Sequence, residues 1–355
     1  MQNRYFIGLM SGTSMDGIDA VLVDFEQKTP VQHHYYRPYS KTLKQNLSAL
    51  LSSPHSLEVI GECEQALSCE YAQCVLSLLE QTNLKAKDII AIGNHGQTVL
   101  HRPEKGISWQ LGNSHLIRQR TNITTISDFR RQDIAQGGQG APMAPVFHAS
   151  MLNQAPSGGA LINIGGISNI SFIDPKTKTV CGYDIGPGNT LMDQWVQQHL
   201  HTDYDEKGQW AKGGTICQDL LEALYKDPYF SQAAPKSTGR EYFHLLWLKR
   251  HLESYQKYSA QWIQATLCAL SAYSIAQALK QQNIKQAYIA GGGWENTYLI
   301  QLLEQYSSPC IIESSRKLGI DPKHLEAYGM AYLAKKSLDQ SPQKALARFN
   351  GVCYL

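Results

Sequence analysis

The sequence predicts a mixed α/β protein that is built from two similar halves. Near the N-terminus, apolar runs from Tyr5 to Met10 and from Ile18 to Phe25 flank a small-residue turn, which predicts a strand hairpin. The same plan returns in the second half, where predicted strands over 160–164 and 167–173 flank Gly165-Gly166. Strands then alternate with helices, as is typical of α/β architecture. The repeated hairpin therefore indicates a duplicated α/β domain.

The remaining elements follow from hydrophobic periodicity and from glycine turns. We predict helices over 56–81, 190–200, 259–281 and 323–336, and strands over 88–93, 182–185 and 287–290. The stretch from Ser127 to Pro145 is rich in Gly, Gln and Ala and has only brief apolar runs. It is interpreted as an ordered functional loop or hinge, with a plain surface linker as the alternative.

Length, charge and cysteine usage exclude several classes of protein. The 355 residues correspond to about two domains at roughly 150 residues each, and the formal net charge is +2. This near-neutrality argues against a nucleic-acid-binding or polybasic membrane protein, and no run approaches the roughly 18 apolar residues of a membrane span. The eight cysteines form no CxxC pair, and the N-terminus has no signal-peptide pattern. We therefore expect a cytoplasmic protein with reduced thiols that binds neither nucleic acid nor a membrane.

Two hairpin turns are candidates for phosphate binding. The first offers small residues whose backbone N–H groups form a concavity that suits phosphate oxygens: Ser11, Gly12, Thr13, Ser14 and Gly17. A tight turn also favours Gly and Ser, so the first turn alone leaves both interpretations open. The second turn, Gly165 to Asn169, repeats the pattern, and two such turns facing each other would hold a polyphosphate. Each turn leads into a strand, whereas P-loop and Rossmann turns lead into a helix.

Asp184 is the strongest candidate for a general base. It ends a predicted strand before the turn Gly186-Pro187-Gly188, and Asn189 or Thr190 would cap the next helix. A carboxylate near a helix N-terminus is stabilised in its ionised form, which a general base requires. The alternative is a simple capping Asp.

Two other features remain open on pattern alone. Gly291-Gly292-Gly293 would let a flat nucleoside approach the backbone, or would simply connect a strand to a helix. His95 would bind sugar hydroxyls or make a structural hydrogen bond to the backbone. Because the histidines show no HExxH pattern, we expect no zinc site.

Nine short motifs follow one another in a fixed order along the chain. They are GLMSGTSMDGID (8–19), NHGQT (94–98), SDFRRQDIAQGGQGAP (127–142), NIGGISN (163–169), YDIGPGNTLMD (183–193), PKSTGREYF (235–243), QAT (264–266), AGGG (290–293) and the helix that carries Glu326. In this order they resemble the 1,6-anhydro-N-acetylmuramic acid kinase family of bacterial cell-wall recycling, over nearly the full length of the chain.

The resemblance implies a fold, a reaction and an organisation into lobes. The fold is a duplicated actin-like, ribonuclease-H-like ATPase with two lobes around a central cleft. The lobes would be 1–130, with the first phosphate hairpin, and 131–355, with the second hairpin and the adenosine site, and the last helix would pack back on the first lobe. ATP and water would convert 1,6-anhydro-N-acetylmuramic acid to N-acetylmuramic acid 6-phosphate. A homodimer is expected for an enzyme of this size.

The resemblance also implies site residues, cofactors and roles. The nucleotide-binding residues are Gly12, Thr13, Ser14, Met15, Asp16, Gly17, Ile18, Asp19, Gly165, Gly166, Gly291, Gly292 and Gly293. Asp184 would activate the attacking water, and Glu326 would orient the substrate or a metal-bound water. His95, Gln97, Asp128 and Arg130 would contact the sugar, with Arg130 on the lactyl carboxylate. ATP is the phosphoryl donor and Mg²⁺ the implied metal, with Asp16 as its candidate protein partner.

The chain departs from the expected residues at two places, and two alternative functions remain open. Many sugar kinases carry an Asp in the first hairpin where this chain has 7–10 (IGLM), and an Asn is expected at His244. One alternative function is an ordinary sugar kinase of the same superfamily, which would leave solvent oxygen out of the product. The other is a non-catalytic ATP-dependent sugar sensor, which predicts slow ATP turnover and a large binding appendage.

Overall fold

The computed structural model describes residues 4–12, 15–52, 55–153, 159–339 and 352–354. The chain divides into two compact units: Met1–Met143 with His324–Leu355, and Ala144–Lys323. The lobe boundary after residue 130 stays a prediction. Each unit is a layered α/β structure around one main sheet, with its own buried apolar core.

The residues described up to 143 in the first unit form seven strands and four α-helices. The strands are β1 (Tyr5–Met10), β2 (Gly17–Val23), β3 (Val31–Pro38), β4 (Ile89–Asn94), β5 (Gln97–Arg102), β6 (Ile107–Leu111) and β7 (Thr125–Ser127). The helices are α1 (Lys41–Ser52), α2 (Leu57–Thr82), α3 (Ser114–Thr121) and α4 (Phe129–Ala135). Within β1, Ile7 and Leu9 join the core that includes α2, because alternate side chains of a strand point to opposite faces.

The described part of the second unit, 144–153 and 159–323, holds five strands and eight α-helices. The strands are β8 (Ala160–Ile164), β9 (Ile167–Ile173), β10 (Val180–Pro187), β11 (Gln286–Ala290) and β12 (Ile311–Ser314). The helices are α5 (Ala144–Leu152), α6 (Thr190–Leu200), α7 (Gln209–Lys212), α8 (Gln218–Tyr225), α9 (Pro228–Ser231), α10 (Leu245–Leu252), α11 (Ala260–Gln281) and α12 (Thr297–Ser307). Helix α11 is the centre of the core, since most of its side chains are buried.

The chain then returns to the first unit through α13 (Leu325–Asp339) and β13 (Val352–Tyr354), which pairs with β7. Helix α13 packs with its backbone directly on the sheet. A Cβ at Gly8 would lie 1.8 Å from Ala327 O, and one at Gly93 would lie 2.0 Å from Met330 O. Gly8 and Gly93 are register partners in β1 and β4. Because a side chain at either position would collide with the backbone of α13, both positions require glycine.

The two sheets share one topology, which confirms the predicted duplicated α/β fold. The first has the order β3-β2-β1-β4-β7, with β13 added at the β7 edge, and the second has the order β10-β9-β8-β11-β12. In each sheet the first three strands form an antiparallel meander, the fourth pairs in parallel with the first, and the fifth pairs in parallel with the fourth. The chain has therefore built the same five-stranded unit twice.

Two local predictions were wrong. The segment 127–145 is not simply a loop, because 129–135 forms α4, with Phe129 and Asp133 buried. Gly186 and Pro187 do not form a turn after the strand but continue β10, with Pro187 opposite Ile167. A proline is tolerated there because β10 is an edge strand and the missing N–H costs no ladder hydrogen bond. In the part of the chain described above, no helix combines the length and the apolar character that crossing a bilayer requires.

Candidate active site

The first hairpin turn is held from beneath by buried hydroxyls. The Ser11 side chain points inward, where its Oγ hydrogen-bonds to the Tyr71 hydroxyl and donates to Gly96 O at 3.3 Å. The next residue, Gly12, uses its carbonyl to accept from Met15 N at 3.2 Å. The predicted Thr13 and Ser14 lie outside the described residues. The described part of this turn therefore presents backbone rather than the Ser11 side chain.

Gln97 ties this turn to the start of β5. It is fully buried, and its Nε2 donates to Gly12 O at 3.2 Å while its Oε1 accepts from the Tyr39 hydroxyl at 3.4 Å. Burial raises the pKa of Tyr39 to about 12, so its hydroxyl stays protonated and able to donate. Both ends of the Gln97 amide are thus used within the protein, and Gln97 positions Gly12.

The other predicted residues of the first hairpin differ in exposure. Met15 and Ile18 bury their side chains in the core, and Met15 has a left-handed backbone with φ 54°. A Cβ at Gly17 would lie 2.4 Å from Arg37 O, which explains the glycine. The Met15 and Ile18 side chains are therefore not exposed to a nucleotide, and only their backbone is available for such a contact.

The two acidic residues of the first hairpin are already paired. The Asp16 carboxylate lies against the Lys44 ammonium on the surface, and Asp19 Oδ1 lies 2.8 Å from His34 Nε2. Among the described residues no group of three or more His, Cys, Asp or Glu side chains converges as metal ligands would. Asp16 therefore does not fit a protein-held Mg²⁺, which requires carboxylates free to coordinate.

His95 and Arg130 form one buried arrangement at the end of β4. Arg130 donates from Nε to His95 Nε2 at 3.0 Å and from Nη1 to Gly140 O at 2.8 Å. His95 Nδ1 lies 2.7 Å from Gly96 O. Burial and the adjacent Arg130 charge lower the pKa of His95 to about 3, so the ring is neutral and accepts from Arg130. His95 consequently orients Arg130 and does not act as a cation or as a general base.

Asp128 lies beside this pair with an unusual backbone. Its φ of 64° is left-handed, and its Oδ1 accepts from Arg131 Nε at 2.7 Å. A pocket of about 250 Å³ is lined by Asn94, His95, Asp128 and Arg131, among other residues. The buried Asn94 Nδ2 has no hydrogen-bond partner within the described ranges of the chain. Because buried amides are nearly always satisfied, this orphan donor indicates a site that a polar ligand completes.

The second hairpin turn is packed against the start of α6. Gly188 N donates to Gly166 O and Asn189 N to Gly165 O, both at 2.8 Å, and Thr190 N also donates to Gly166 O at 3.1 Å. A Cβ at Gly188 would lie 2.3 Å from Gly165 O. Asn189 holds the N-cap position without a side-chain capping bond, so the turn carbonyls cap α6 in place of the predicted Asn189 or Thr190 side chain.

Asp184 is fixed from both sides of its peptide. Its N–H donates to Lys236 O at 3.0 Å, and its carbonyl accepts from the Tyr229 hydroxyl at 2.6 Å. Its carboxylate Oδ2 accepts from Thr238 N at 3.0 Å. The Thr238 N–H group therefore donates a hydrogen bond that stabilises the ionised form of this carboxylate.

Two buried polar atoms on residues next to Asp184 have no partner among the described residues: Asn169 Oδ1 and Thr238 Oγ1. Asn169 is the register partner of Asp184 across β9 and β10. Thr238 binds the Asp184 carboxylate through its backbone. Because a native chain rarely leaves buried polar groups unsatisfied, Asn169 Oδ1 and Thr238 Oγ1 indicate a place for a polar ligand or ordered water.

The three glycines after β11 have separate roles. A Cβ at Gly291, whose φ is 83°, would lie 2.5 Å from Asn163 Oδ1, and one at Gly293 would lie 2.3 Å from Ile164 Cγ2. Both are therefore required for packing on β8. Nothing lies within 4 Å of a Cβ at Gly292, which opens on a pocket of about 420 Å³. The other residues that line this pocket are Asn189, Met192, Asp193, Tyr204, Asp205, Glu206, Lys207, Glu295, Asn296 and Lys323.

The electrostatics of this pocket suit a nucleoside better than its phosphates. The pocket carries four carboxylates, among them Asp193 and Asp205, against two lysines. Burial raises the pKa of Asp193 to about 7; Asp203 and Asp205 act in the same direction, and Arg240 opposes them. A cavity of this size is typical of a small-molecule site.

Glu326 and His244, the two other positions discussed from the sequence, lie at the starts of helices. Glu326 is exposed in the first turn of α13, in the first unit. His244, where an Asn was expected, is the N-cap of α10, and its Nδ1 accepts from Leu246 N at 3.1 Å and Trp247 N at 3.3 Å. Those are the hydrogen bonds that an N-cap Asn side chain makes, so the departure leaves the local structure intact.

Sequence reasoning missed four polar residues of the second unit: Asn169, Asp193, Thr238 and Arg240. All four lie inside the motifs that carry the resemblance, which is the one signal that would have found them. A Cβ at Gly166 would lie 2.8 Å from Arg240 Nε, so Arg240 covers the second turn from a position 74 residues away. A contact between residues so far apart in the sequence cannot be predicted from local periodicity.

Comparison with known proteins identifies the family. The family model described as anhydro-N-acetylmuramic acid kinase matches residues 4–350. Relatives of that name from Coxiella burnetii (41% identical, 96% of this chain and 93% of theirs) and Legionella pneumophila (42%, 95% and 92%) align over most of their lengths. Among solved structures, the activator of the 2-hydroxyisocaproyl-CoA dehydratase from Clostridium difficile with bound ADPNP aligns over 95% of this chain and 98% of its own, at 13% identity and a TM-score of 0.49. The chain belongs to the anhydro-N-acetylmuramic acid kinase family.

Proposed function

We propose that this protein is an ATP-dependent kinase that opens the anhydro bridge of 1,6-anhydro-N-acetylmuramic acid and phosphorylates the same molecule. The products are N-acetylmuramic acid 6-phosphate and ADP. Family membership supports the reaction, and the observation that carries it is the fixed Asp184 carboxylate next to Asn169 Oδ1 and Thr238 Oγ1, which are buried and have no hydrogen-bond partner among the described residues. No described feature favours an ordinary sugar kinase or a non-catalytic sensor.

Asp184 is the general base. Water attacks the anomeric carbon, its proton passes to Asp184, and the bond from that carbon to the bridging oxygen breaks. The freed sugar oxygen takes the γ-phosphoryl group, and ADP leaves. The hydrogen bond from Thr238 N keeps the carboxylate oriented, so that it does not have to reorganise as the proton arrives.

The two glycine turns supply backbone N–H groups for the phosphates, and the pocket at Gly292 takes the adenosine. Within the described residues, neither the Gly165 nor the Gly166 N–H donates a hydrogen bond, so both suit phosphate oxygens. Mg²⁺ would neutralise phosphate charge when it arrives with ATP. The described residues do not fit a protein-held ion, since Asp16 is paired with Lys44.

The sugar lies at the pocket of Asn94, His95 and Asp128 in the first unit. Arg130 binds the lactyl carboxylate, because a guanidinium oriented by His95 and Gly140 O matches a carboxylate in charge and geometry. Gln97 positions the Gly12 turn, and Glu326 orients the substrate or a metal-bound water. The enzyme works in the cytoplasm as a homodimer.

The test is a coupled measurement of ADP and of sugar phosphate with Mg-ATP and the anhydro sugar. We expect the wild-type protein to form one of each per turnover. Asp184→Asn keeps the side-chain shape but removes the base, and should lower kcat by about 10²- to 10⁴-fold. Asp174→Asn, in the exposed connection between β9 and β10, is the matched control and should retain activity. Full activity in Asp184→Asn would refute the assignment.

A further inference from the structure

Arg240 covers the second glycine turn and has no hydrogen-bond or ion-pair partner in the part of the chain that the structure describes. A Cβ at Gly166 would lie 2.8 Å from Arg240 Nε and 2.9 Å from Nη2, so the guanidinium rests directly on the turn. Among the described residues, Arg240 forms no hydrogen bond and no ion pair within 4.0 Å; the carboxylate that its charge influences is Asp193. An exposed guanidinium held over a phosphate-type turn without a carboxylate partner is suited to bind an anion.

The turn beneath Arg240 is suited to the same anion. Its Gly165 and Gly166 carbonyls point away into the N-terminus of α6, where they accept three N–H groups. Its own Gly165 and Gly166 N–H groups donate to no described residue. The turn therefore offers two donors on the side where Arg240 adds a positive charge.

The segment that carries Arg240 is anchored at both ends. On one side, Lys236 O and Thr238 N bind the backbone and carboxylate of Asp184. On the other, Phe243 N donates to Gly239 O at 3.2 Å, and the Phe243 ring is fully buried among aromatic side chains. The distance between Arg240 and Asp184 is therefore fixed by a short, anchored stretch of chain.

We propose that Arg240 binds the phosphoryl group at the Gly165-Gly166 turn and neutralises the charge that develops during its transfer, with segment 236–240 fixing it relative to Asp184. This inference rests on the proposed kinase function. In the step concerned, the bond from the γ-phosphorus to the oxygen of ADP breaks and a bond to the freed sugar oxygen forms. Arg240 exchanges no proton; it only stabilises charge, as arginines do in other phosphoryl transfers.

The first test measures binding and does not need turnover. Calorimetric titration with ADP and with a non-hydrolysable ATP analogue, each with Mg²⁺, compares wild type with Arg240→Ala. We expect the variant to bind the analogue about 10- to 100-fold more weakly and ADP within about twofold of wild type. Arg250→Ala, which removes an equally exposed arginine from the last turn of α10, should change neither affinity. Equal losses for both nucleotides, or no loss, would overturn the proposal.

The second test measures turnover and chemical rescue. Arg240→Ala should lower kcat about 10³-fold with an unchanged thermal unfolding midpoint, and Arg240→Lys should recover only part of it. Guanidinium ion added below denaturing concentrations should raise kcat of Arg240→Ala but not of wild type. A variant as active as wild type, or an inactive one that guanidinium does not rescue, would contradict the role. If the wild type turned over no anhydro sugar, the proposed function would fail while the binding test still decided the role of Arg240.

Discussion

Replacing Gly8 by Ala tests how α13 is seated on the first sheet. The added Cβ would lie 1.8 Å from Ala327 O, 2.8 Å from Ala327 C and 2.9 Å from Ala331 N. All three are backbone atoms of α13, so no side chain can rotate out of the way. Real Cβ atoms essentially never approach closer than 3.0 Å, and the Ala327 carbonyl must therefore retreat by about 1.2 Å (3.0 minus 1.8).

The cost follows from what α13 buries. A radial gap of this size forfeits a quarter to a half of each contact between the helix and the sheet, and overpacking alone typically costs about 1–3 kcal/mol. We expect Gly8→Ala to lower the free energy of unfolding by about 3 kcal/mol or more. Because α13 also carries Glu326, activity should fall with stability.

The matched control is the same substitution at Gly61, an exposed position inside α2 where nothing lies within 4 Å of an added Cβ. There Ala should stabilise the helix by about 0.5–1 kcal/mol, since glycine loses more backbone entropy on folding. Urea unfolding followed by circular dichroism measures both variants. A Gly8→Ala protein as stable as wild type, or two substitutions of the same sign, would refute the proposed packing.

Two further predictions concern pH. Burial lowers the pKa of His148 to about 3, so the folded state resists protonation and stability is lost as pH falls below about 6.5. At pH 5 this costs roughly 2 kcal/mol, and His148→Asn should flatten the pH dependence of the urea midpoint between pH 7 and 5. Asp193 has the opposite sign: its raised pKa means that stability present near pH 4 is lost as pH rises toward 7. Asp193→Asn should therefore be more stable than wild type at pH 8, by up to about 4 kcal/mol, with little difference at pH 4; equal midpoints at pH 8 would contradict the burial of this carboxylate.

Seven strands, β1, β2, β4, β8, β9, β10 and β11, could be predicted from sequence because most are apolar runs that begin or end next to a glycine. The sequence analysis did not predict β3, β5, β6, β7, β12 or β13, since these strands are polar, as in VQHHYYRP of β3, or short. The structure has β1, β8 and β9 with the predicted bounds, and α6 as well. Helix α4 was missed because it has only seven residues in a Gly- and Gln-rich stretch, where Phe129 and Asp133 alone are buried. The extension of β10 through Pro187 was missed because only its edge position makes a proline acceptable.

The candidate site was predictable only where neighbours in sequence are neighbours in space. His95 and the glycine turns are local features, and their positions follow from the strands that they end. Asp184 and Thr238, which are in contact, lie 54 residues apart in the sequence, and Arg240 and Gly166 lie 74 residues apart. Such contacts depend on how an irregular segment packs in the tertiary structure, and the periodicity of the sequence does not predict that packing.

The most direct test of the central claim is the mass of the product formed in ¹⁸O-water from Mg-ATP and 1,6-anhydro-N-acetylmuramic acid. Attack of water activated by Asp184 predicts a 6-phosphate sugar with one heavy oxygen at the anomeric carbon, formed together with one ADP. Because that oxygen exchanges slowly with solvent, the product formed in ordinary water and then moved to ¹⁸O-water is the control. A phosphorylated sugar that keeps its anhydro bridge and contains no heavy oxygen would contradict the coupled reaction.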